Sequence, residues 1–303
     1  MLWTEKYRPY RINEIIGQPN FILDAESWLV TKEMPNLLLY GDAGTGKTAA
    51  AGALANGILG EEKETNFFEI NASDDRKLET VRTRIKDIAS TGKIGRVPFK
   101  IILLDEMDGM TKDAQNALKR IMERYSNNCR FIITCNERHR IIYPLQSRCA
   151  NYLFKRLSHA HMSLILEGIL TKEKIDTISK DELDGFIGGL HGDIRRGITE
   201  LQASISSNSP LSKVILQSLE PYTLIIEMVN DNRYDDSLAA VHDLIYNSVD
   251  MSTVCVNLHD VVIKTDMIHT KKFQLLRVIG EAEWRSKSMT PKLLASWMIG
   301  QMI

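Results

Sequence analysis

"LLLYGDAGTGKTAAAGALAN", Leu37 to Asn56, decides the fold of this chain. Four apolar residues, Leu37 to Tyr40, end in a glycine-rich turn, and an alanine-rich helical pattern follows, so the stretch reads as strand, loop, helix. Within it Gly41-x-x-x-x-Gly46-Lys47-Thr48 has the P-loop spacing. In such a loop, backbone N–H groups and the helix N-terminus cradle a polyphosphate. Lys47 is placed to reach the β and γ phosphates and Thr48 to hold Mg²⁺. The segment Gly41, Asp42, Ala43, Gly44, Thr45, Gly46, Lys47, Thr48, Ala49 is therefore the expected nucleoside-triphosphate cradle.

Working outward, five short apolar runs read as strands of one parallel sheet: Asn36–Tyr40, Phe67–Asn71, Phe99–Leu104, Arg130–Cys135 and Asn151–Phe154. Helical patterns between most of them give the alternation of an α/β domain with helices on both faces. From Asp113 to Tyr125, the residues Ala114, Ala117, Leu118, Ile121, Met122 and Tyr125 share one helical face, and Lys119, Arg120 and Arg124 fall off it. Past residue 156 the strand signal stops. Short helices run to about 206, interrupted at Gly188-Gly189 and Gly192, and the polar break "SSNSP" (Ser206–Pro210) reads as a linker. The rest is helical, with Pro221 and Pro291 expected at helix starts. The expected organisation is an α/β nucleotide-binding domain over 1–156, a small helical lid over 157–208 and an all-α domain over 209–303.

Bulk properties narrow the function. The 303 residues are 25% charged and 44% hydrophobic, ordinary for a globular protein, and the net charge of −1 leaves any nucleic-acid site to a local patch. The cysteines Cys129, Cys135, Cys149 and Cys255 lack C-x-x-C spacing and paired histidines, which argues against zinc. No N-terminal apolar stretch reads as a signal peptide, and no run of about 18 apolar residues could span a membrane. A soluble, intracellular protein is expected, with reduced thiols and no membrane partner.

Further motifs carry chemistry. "KIILLDEMD" (Lys100–Asp108) is a buried strand ending in adjacent carboxylates, Asp105 to hold the Mg²⁺ shell and Glu106 to orient and deprotonate a water. "FIITCN" (Phe131–Asn136) ends in Thr134 and Asn136, and a side-chain amide there could bond the γ-phosphate or the lytic water. In "SRC" (Ser147–Cys149), Arg148 is an ordinary surface arginine in a monomer, but in a ring or arc it could reach a neighbour's nucleotide as a finger. In "HGDIRRGI" (His191–Ile198), Arg195 or Arg196 could fold over the nucleotide from a helix start.

In this order the motifs resemble an AAA+ ATPase. More narrowly, "WTEKYRP" (Trp3–Pro9), "EIIGQ" (Glu14–Gln18), "EINASDDR" (Glu69–Arg76), "DAQNALKRIMERYS" (Asp113–Ser126) and "PLQSRC" (Pro144–Cys149) resemble the replication factor C small-subunit family of sliding-clamp loaders. The likeness is dense over 1–155, clear through "GDIRR", and thin after about 210, where only "GEAEWR" (Gly280–Arg285) matches. The resemblance implies ATP and Mg²⁺ held by Lys47, Thr48 and Asp105, with Glu106 as catalytic base and Asn136 as first sensor. It further implies Arg148 as a finger donated in trans, Arg195 as second sensor, and Tyr7, Arg8, Ile16 and Gly17 near the adenine. As partners it implies a PCNA-like sliding clamp, a large subunit and further small subunits in a pentameric arc, and primer–template DNA. The compartment would be cytoplasmic for an archaeal or viral source and nuclear for a eukaryotic one. Departures from the family are Asp42-Ala43 in place of two prolines, Tyr143 and His191 where glutamates are typical, and a slightly short C-terminus.

Between Arg76 and Lys100 stand Arg76, Lys77, Arg82, Arg84, Lys86, Lys93, Arg96 and Lys100 against only Glu79 and Asp87. Arg82 and Lys86, four apart on one helical face, are the candidate contacts to DNA phosphates. "IGRVPF" (Ile94–Phe99) is expected as an exposed apolar segment facing the clamp. Two other readings stay open: a subunit that binds ATP as a structural staple with little turnover, and another AAA+ DNA motor such as a branch-migration helicase.

Overall fold

The expected strands are all present, with ends displaced by at most one residue: β1 (Leu37–Tyr40), β2 (Phe67–Asn71), β3 (Lys100–Asp105), β4 (Cys129–Cys135) and β5 (Ala150–Leu153). They pair in parallel in the order β2-β3-β4-β1-β5, with Leu38 opposite Ile133 and Asn151, and Leu103 opposite Ile132. The computed structural model describes residues 1–72, 78–190, 192–209, 211–247, 249–286 and 288–303, and, within 78–82 and 212–219, the backbone only.

Helices α1 (Trp3–Lys6), α2 (Pro19–Thr31), α3 (Lys47–Leu59), α4 (Lys63–Asn66), α5 (Leu78–Ser90), α6 (Lys112–Arg124) and α7 (Tyr143–Gln146) flank the sheet. Strand alternation sorts the core into two layers. Leu37, Leu39, Ile101, Leu103 and Ile132 pack on Ala50, Ala51 and Leu54 of α3 and Phe21 of α2. Leu38, Ile102, Leu104, Phe131 and Ile133 pack on Ile85 of α5 and Leu118, Ile121 and Met122 of α6. Burial on both faces explains why these strands are uninterrupted apolar runs.

Helix α6 begins where the Thr111 side chain accepts the Ala114 N–H, and it buries most of the stripe read from the sequence. It also buries Gln115, a polar residue 1% exposed. Its amide donates to the carbonyls of Met110 and Arg140, both at 3.1 Å, and accepts the Ile142 N–H at 2.8 Å. Gln115→Met keeps the volume but strips these partners. It is expected to destabilise the protein by about 2–3 kcal/mol, read as a lower urea midpoint at unchanged slope; an unchanged midpoint would show that water replaces the amide.

Two expectations about the basic stretch are corrected. Of "IGRVPF", Ile94 is exposed, but Val97 and Phe99 are 5% and 3% exposed and belong to the core, because they continue the apolar run into β3. Lys100 is also buried: its ammonium donates to the Thr91 hydroxyl at 2.6 Å and the Ile88 carbonyl at 3.2 Å, closing the C-terminal end of α5. Burial holds its pKa below the ordinary lysine value.

After β5 come α8 (His159–Glu173), α9 (Lys180–Gly188) and α10 (Ile194–Ser206). Ser158, Ser179 and Asp193 cap them by accepting the N–H groups of His161, Glu182 and Arg196. The chain divides into two compact units, Met1–Ser209 and Pro210–Ile303, so these three helices fall within the first. The second unit consists of α11 (Leu211–Asn230), α12 (Tyr234–Tyr246), α13 (Met251–Lys264), α14 (His269–Arg285) and α15 (Pro291–Met302) around its own core. Pro291 opens α15 as expected. Pro221 does not open a helix; it lies inside α11. Burial of Tyr222, Ile225, Ile226 and Val229 just beyond it outweighs the missing ladder N–H.

Candidate functional site

The site forms at the carboxyl ends of β1, β4 and β3, where an open α/β sheet leaves a crevice at its switch point. The chain leaves β1 through Gly41 and enters α3 at Lys47, with Gly46 as N-cap in the left-handed region at φ 92°. The N–H groups of the first turn of α3 have no helical partner and suit an anion. Thr45 folds back, its hydroxyl donating to the Asp42 carbonyl at 2.9 Å. Gly44, at φ 74°, has no room for a side chain: a Cβ there would lie 1.9 Å from Asp193 Oδ1.

Lys47 is only 8% exposed, and its Nζ donates to the Gly41 carbonyl (2.6 Å), the Asp42 carbonyl (2.8 Å) and Asn136 Oδ1 (3.0 Å). Burial lowers its pKa, opposed by the nearby Cys135, Asp105, Asp108 and Asp42. Thr48 Oγ1 donates to Asp105 at 3.0 and 3.1 Å from its two oxygens. Lys47, Thr48, Asp105 and Asn136 are thus linked although they lie on three separate strand ends.

Thr134, which the sequence reading named only as a polar strand end, has a role of its own. It is 1% exposed; its hydroxyl donates to Asp105 Oδ1 and accepts the backbone N–H of Glu106 at 3.1 Å. One hydroxyl therefore sets both carboxylate-bearing residues. The signal was a lone hydroxyl inside an apolar strand. Glu106 has φ 55°, an unusual backbone state for a residue with a long side chain, and such outliers concentrate at functional sites. Asn136 is held from behind, its N–H donating to Asp108 Oδ2 at 3.2 Å.

Hard oxygens from a hydroxyl and a carboxylate, 3.0 Å apart, fit Mg²⁺, which usually keeps waters and substrate phosphates as its other ligands. Among the described residues, no group of three His, Cys, Asp or Glu side chains could hold a metal unaided.

Residues 37–157 match the family described as "ATPase family associated with various cellular activities (AAA)". The chain is 35% identical over 290 residues to the replication factor C small subunit of Methanococcus maripaludis strain C7, covering 93% of this chain and 92% of that one. This chain belongs to the replication factor C small-subunit family. The Methanosarcina barkeri member is 45% identical over 215 residues, which span 70% of this chain and 64% of the relative. The solved structure of the Thermotoga maritima RuvB Holliday junction branch migration motor superposes with a TM-score of 0.58 over 78% of this chain and 85% of that one. At 14% identity it shows the fold alone. With an AAA ATPase match over residues 37–157 and membership of the replication factor C small-subunit family, the chain is an ATP hydrolase.

The remaining family positions are placed as follows. Tyr7 points its hydroxyl at Glu173 of α8 (2.6 Å), beside a Lys6–Glu173 ion pair of the same length. Arg8 Nη2 lies 3.4 Å from the Thr48 carbonyl at the base of the P-loop. Ile16 is half-buried, and Gly17 packs so closely on Leu157 that a Cβ would lie 2.5 Å from its Cδ2. Asp42, a departure from the family's proline, pairs with Arg156 Nε at 2.7 Å. Arg195 is exposed on the first turn of α10, while Arg196 pairs with Glu200 at 2.6 Å. Arg148 lies apart from the P-loop group, bound to Glu123 and to the Pro144 carbonyl. Lys86 is exposed on α5; the side chain of Arg82, and residues Arg76, Lys77 and His191, lie outside the described residues. The four cysteines are free and buried, and burial pushes the Cys135 thiol up to about 12. Among the described residues no helix is long and apolar enough to cross a membrane.

Proposed function

We propose that this chain is the ATPase subunit of a clamp loader, using ATP and Mg²⁺ to place a ring-shaped sliding clamp on primer–template DNA. The observation that carries this reading is the linked group Lys47, Thr48, Asp105, Thr134 and Asn136 in a chain similar along nearly its whole length to replication factor C small subunits.

In this reading the amides of Gly44 to Ala49 and the Lys47 ammonium bind the triphosphate, exchanging the internal acceptors of Lys47 for phosphate oxygens. Thr48 and Asp105 hold Mg²⁺, which supplies charge neutralisation to the phosphates. Glu106 takes the proton of the attacking water, and Asn136, between that water and Lys47, senses the γ-phosphate. Arg148 acts on the ATP of a neighbouring subunit, and Arg195 acts in cis from the lid, residues 157–208. Tyr7, Arg8, Ile16 and Gly17 line the adenine end. Residues 209–303 serve as the oligomerisation collar of a pentameric arc with a large subunit. Arg82 and Lys86 track DNA phosphates without reading bases.

The test is the ATPase rate of the assembled complex with its large subunit, with and without clamp and primed DNA. A several-fold rise with both supports clamp loading. A rise with DNA and indifference to the clamp points to another AAA+ motor, and no turnover despite ATP binding points to a structural staple. Arg148→Ala is expected to lower the assembled rate by about 10³-fold and to leave an isolated subunit unchanged. An equal loss in a confirmed monomer would refute action in trans.

A further inference from the structure

We propose that Glu123 is a positioning residue for Arg148, holding its guanidinium so that one edge is presented to an anion on a neighbouring copy. This rests on the reading of Arg148 as a finger. Glu123 closes the last turns of α6, and its Oε1 accepts from Arg148 Nε at 2.9 Å and also from Nη2. The Pro144 carbonyl accepts from Nη1 at 2.7 Å. A guanidinium has five N–H donors in one plane. These contacts occupy one on each nitrogen, so Nη1 and Nη2 each keep an N–H. Those two nitrogens form the end of the fork, the pair that meets two oxygens of a phosphate in parallel.

Stability does not account for the arrangement. The two side chains are 34% and 49% exposed, and an ion pair so open to solvent contributes little to folding. Its effect is on orientation. A free surface arginine loses rotamer freedom when it docks on a phosphate, whereas one already fixed on three nitrogens has lost it beforehand. The carboxylate also opposes the arginine's charge, which alone would weaken its pull on a phosphate. At an exposed site water's high dielectric keeps that opposition small, and it leaves the angle of the fork unchanged. Orientation therefore outweighs charge.

The test uses the assembled complex with its partner subunits, clamp and primed DNA, with assembly of every variant checked by sedimentation. Glu123→Ala is expected to lower kcat about tenfold with the KM for ATP within about twofold, as for a misplaced but present group. Glu123→Gln, which keeps an oxygen acceptor for Nε and Nη2, is expected to recover most of the rate. In an Arg148→Ala background, Glu123→Ala should cost nothing more. A wild-type kcat for Glu123→Ala beside a large loss for Arg148→Ala overturns the positioning role alone. A higher rate in both Glu123 variants overturns it in favour of a restraint on the arginine, and a further loss in the double variant overturns it in favour of a structural role. If Arg148→Ala itself turns over normally, the finger reading fails instead.

Discussion

Glu106→Gln is expected to lower turnover by about 10²–10⁴-fold while leaving ATP affinity within about threefold. The amide is isosteric with the carboxylate but cannot take a proton from water, so only the base is lost. Nothing that would hold the nucleotide changes: the P-loop amides, Lys47 and the Thr48–Asp105 pair are separate groups. The backbone is also kept, since the Glu106 N–H remains on the Thr134 hydroxyl and Gln adopts φ 55° at much the same cost as Glu. Calorimetry with ATP alongside a steady-state rate separates the two effects. Normal turnover in the variant would remove Glu106 from the chemistry, and a large loss of binding would move it to the ground state.

Lys47→Ala is expected to act on binding first, lowering ATP affinity by about 100-fold or more, the worth of charge-assisted bonds to phosphate in a sheltered site. The ammonium is already desolvated, which lowers its pKa, and the carbonyls of Gly41 and Asp42 with the Asn136 amide hold it aimed along the loop. Little further reorganisation is needed when phosphate oxygens arrive. The clean readout is the rise in melting temperature that saturating ATP confers by mass action. Wild-type protein should show it and Lys47→Ala should not, at ATP concentrations that saturate the former. An undiminished shift would show that the loop amides bind the triphosphate without the lysine.

Much of this was legible in the sequence, for identifiable reasons. The central strands β1, β3 and β4, buried on both faces, leave nearly unbroken apolar runs, and all five strands were found within a residue of their ends. The P-loop was legible because its constraints are local in sequence: glycine where the backbone needs φ above zero, and lysine and threonine on the turn that follows. Long-range polar pairing was not. Nothing in the sequence sets Gln115 apart, and only the approach of residues 140 and 142 makes it a buried junction. Thr134 read as a strand end, although its role depends on β3 lying next to β4. The burial of Val97 was missed, and Phe99 and Lys100 were read both as strand and as exposed basic segment, because a run rich in charge hides the apolar positions between. Pro221 misled because a start signal is only a local preference that tertiary packing overrides.

The contact between Gly44 and Asp193 has a mechanical consequence. Asp193 caps α10 through the Arg196 N–H at 3.0 Å while resting on the phosphate loop, so the near end of that helix is pinned to the nucleotide cradle. Its far half carries Gln202, which accepts the Trp3 N–H at 2.8 Å. At about 1.5 Å per residue, α10 is a rigid arm of about 20 Å, and a tilt of about 5° at the loop sweeps its other end through about 2 Å. Any displacement of the loop at Gly44 would therefore bear directly on Asp193 and on the capped start of α10.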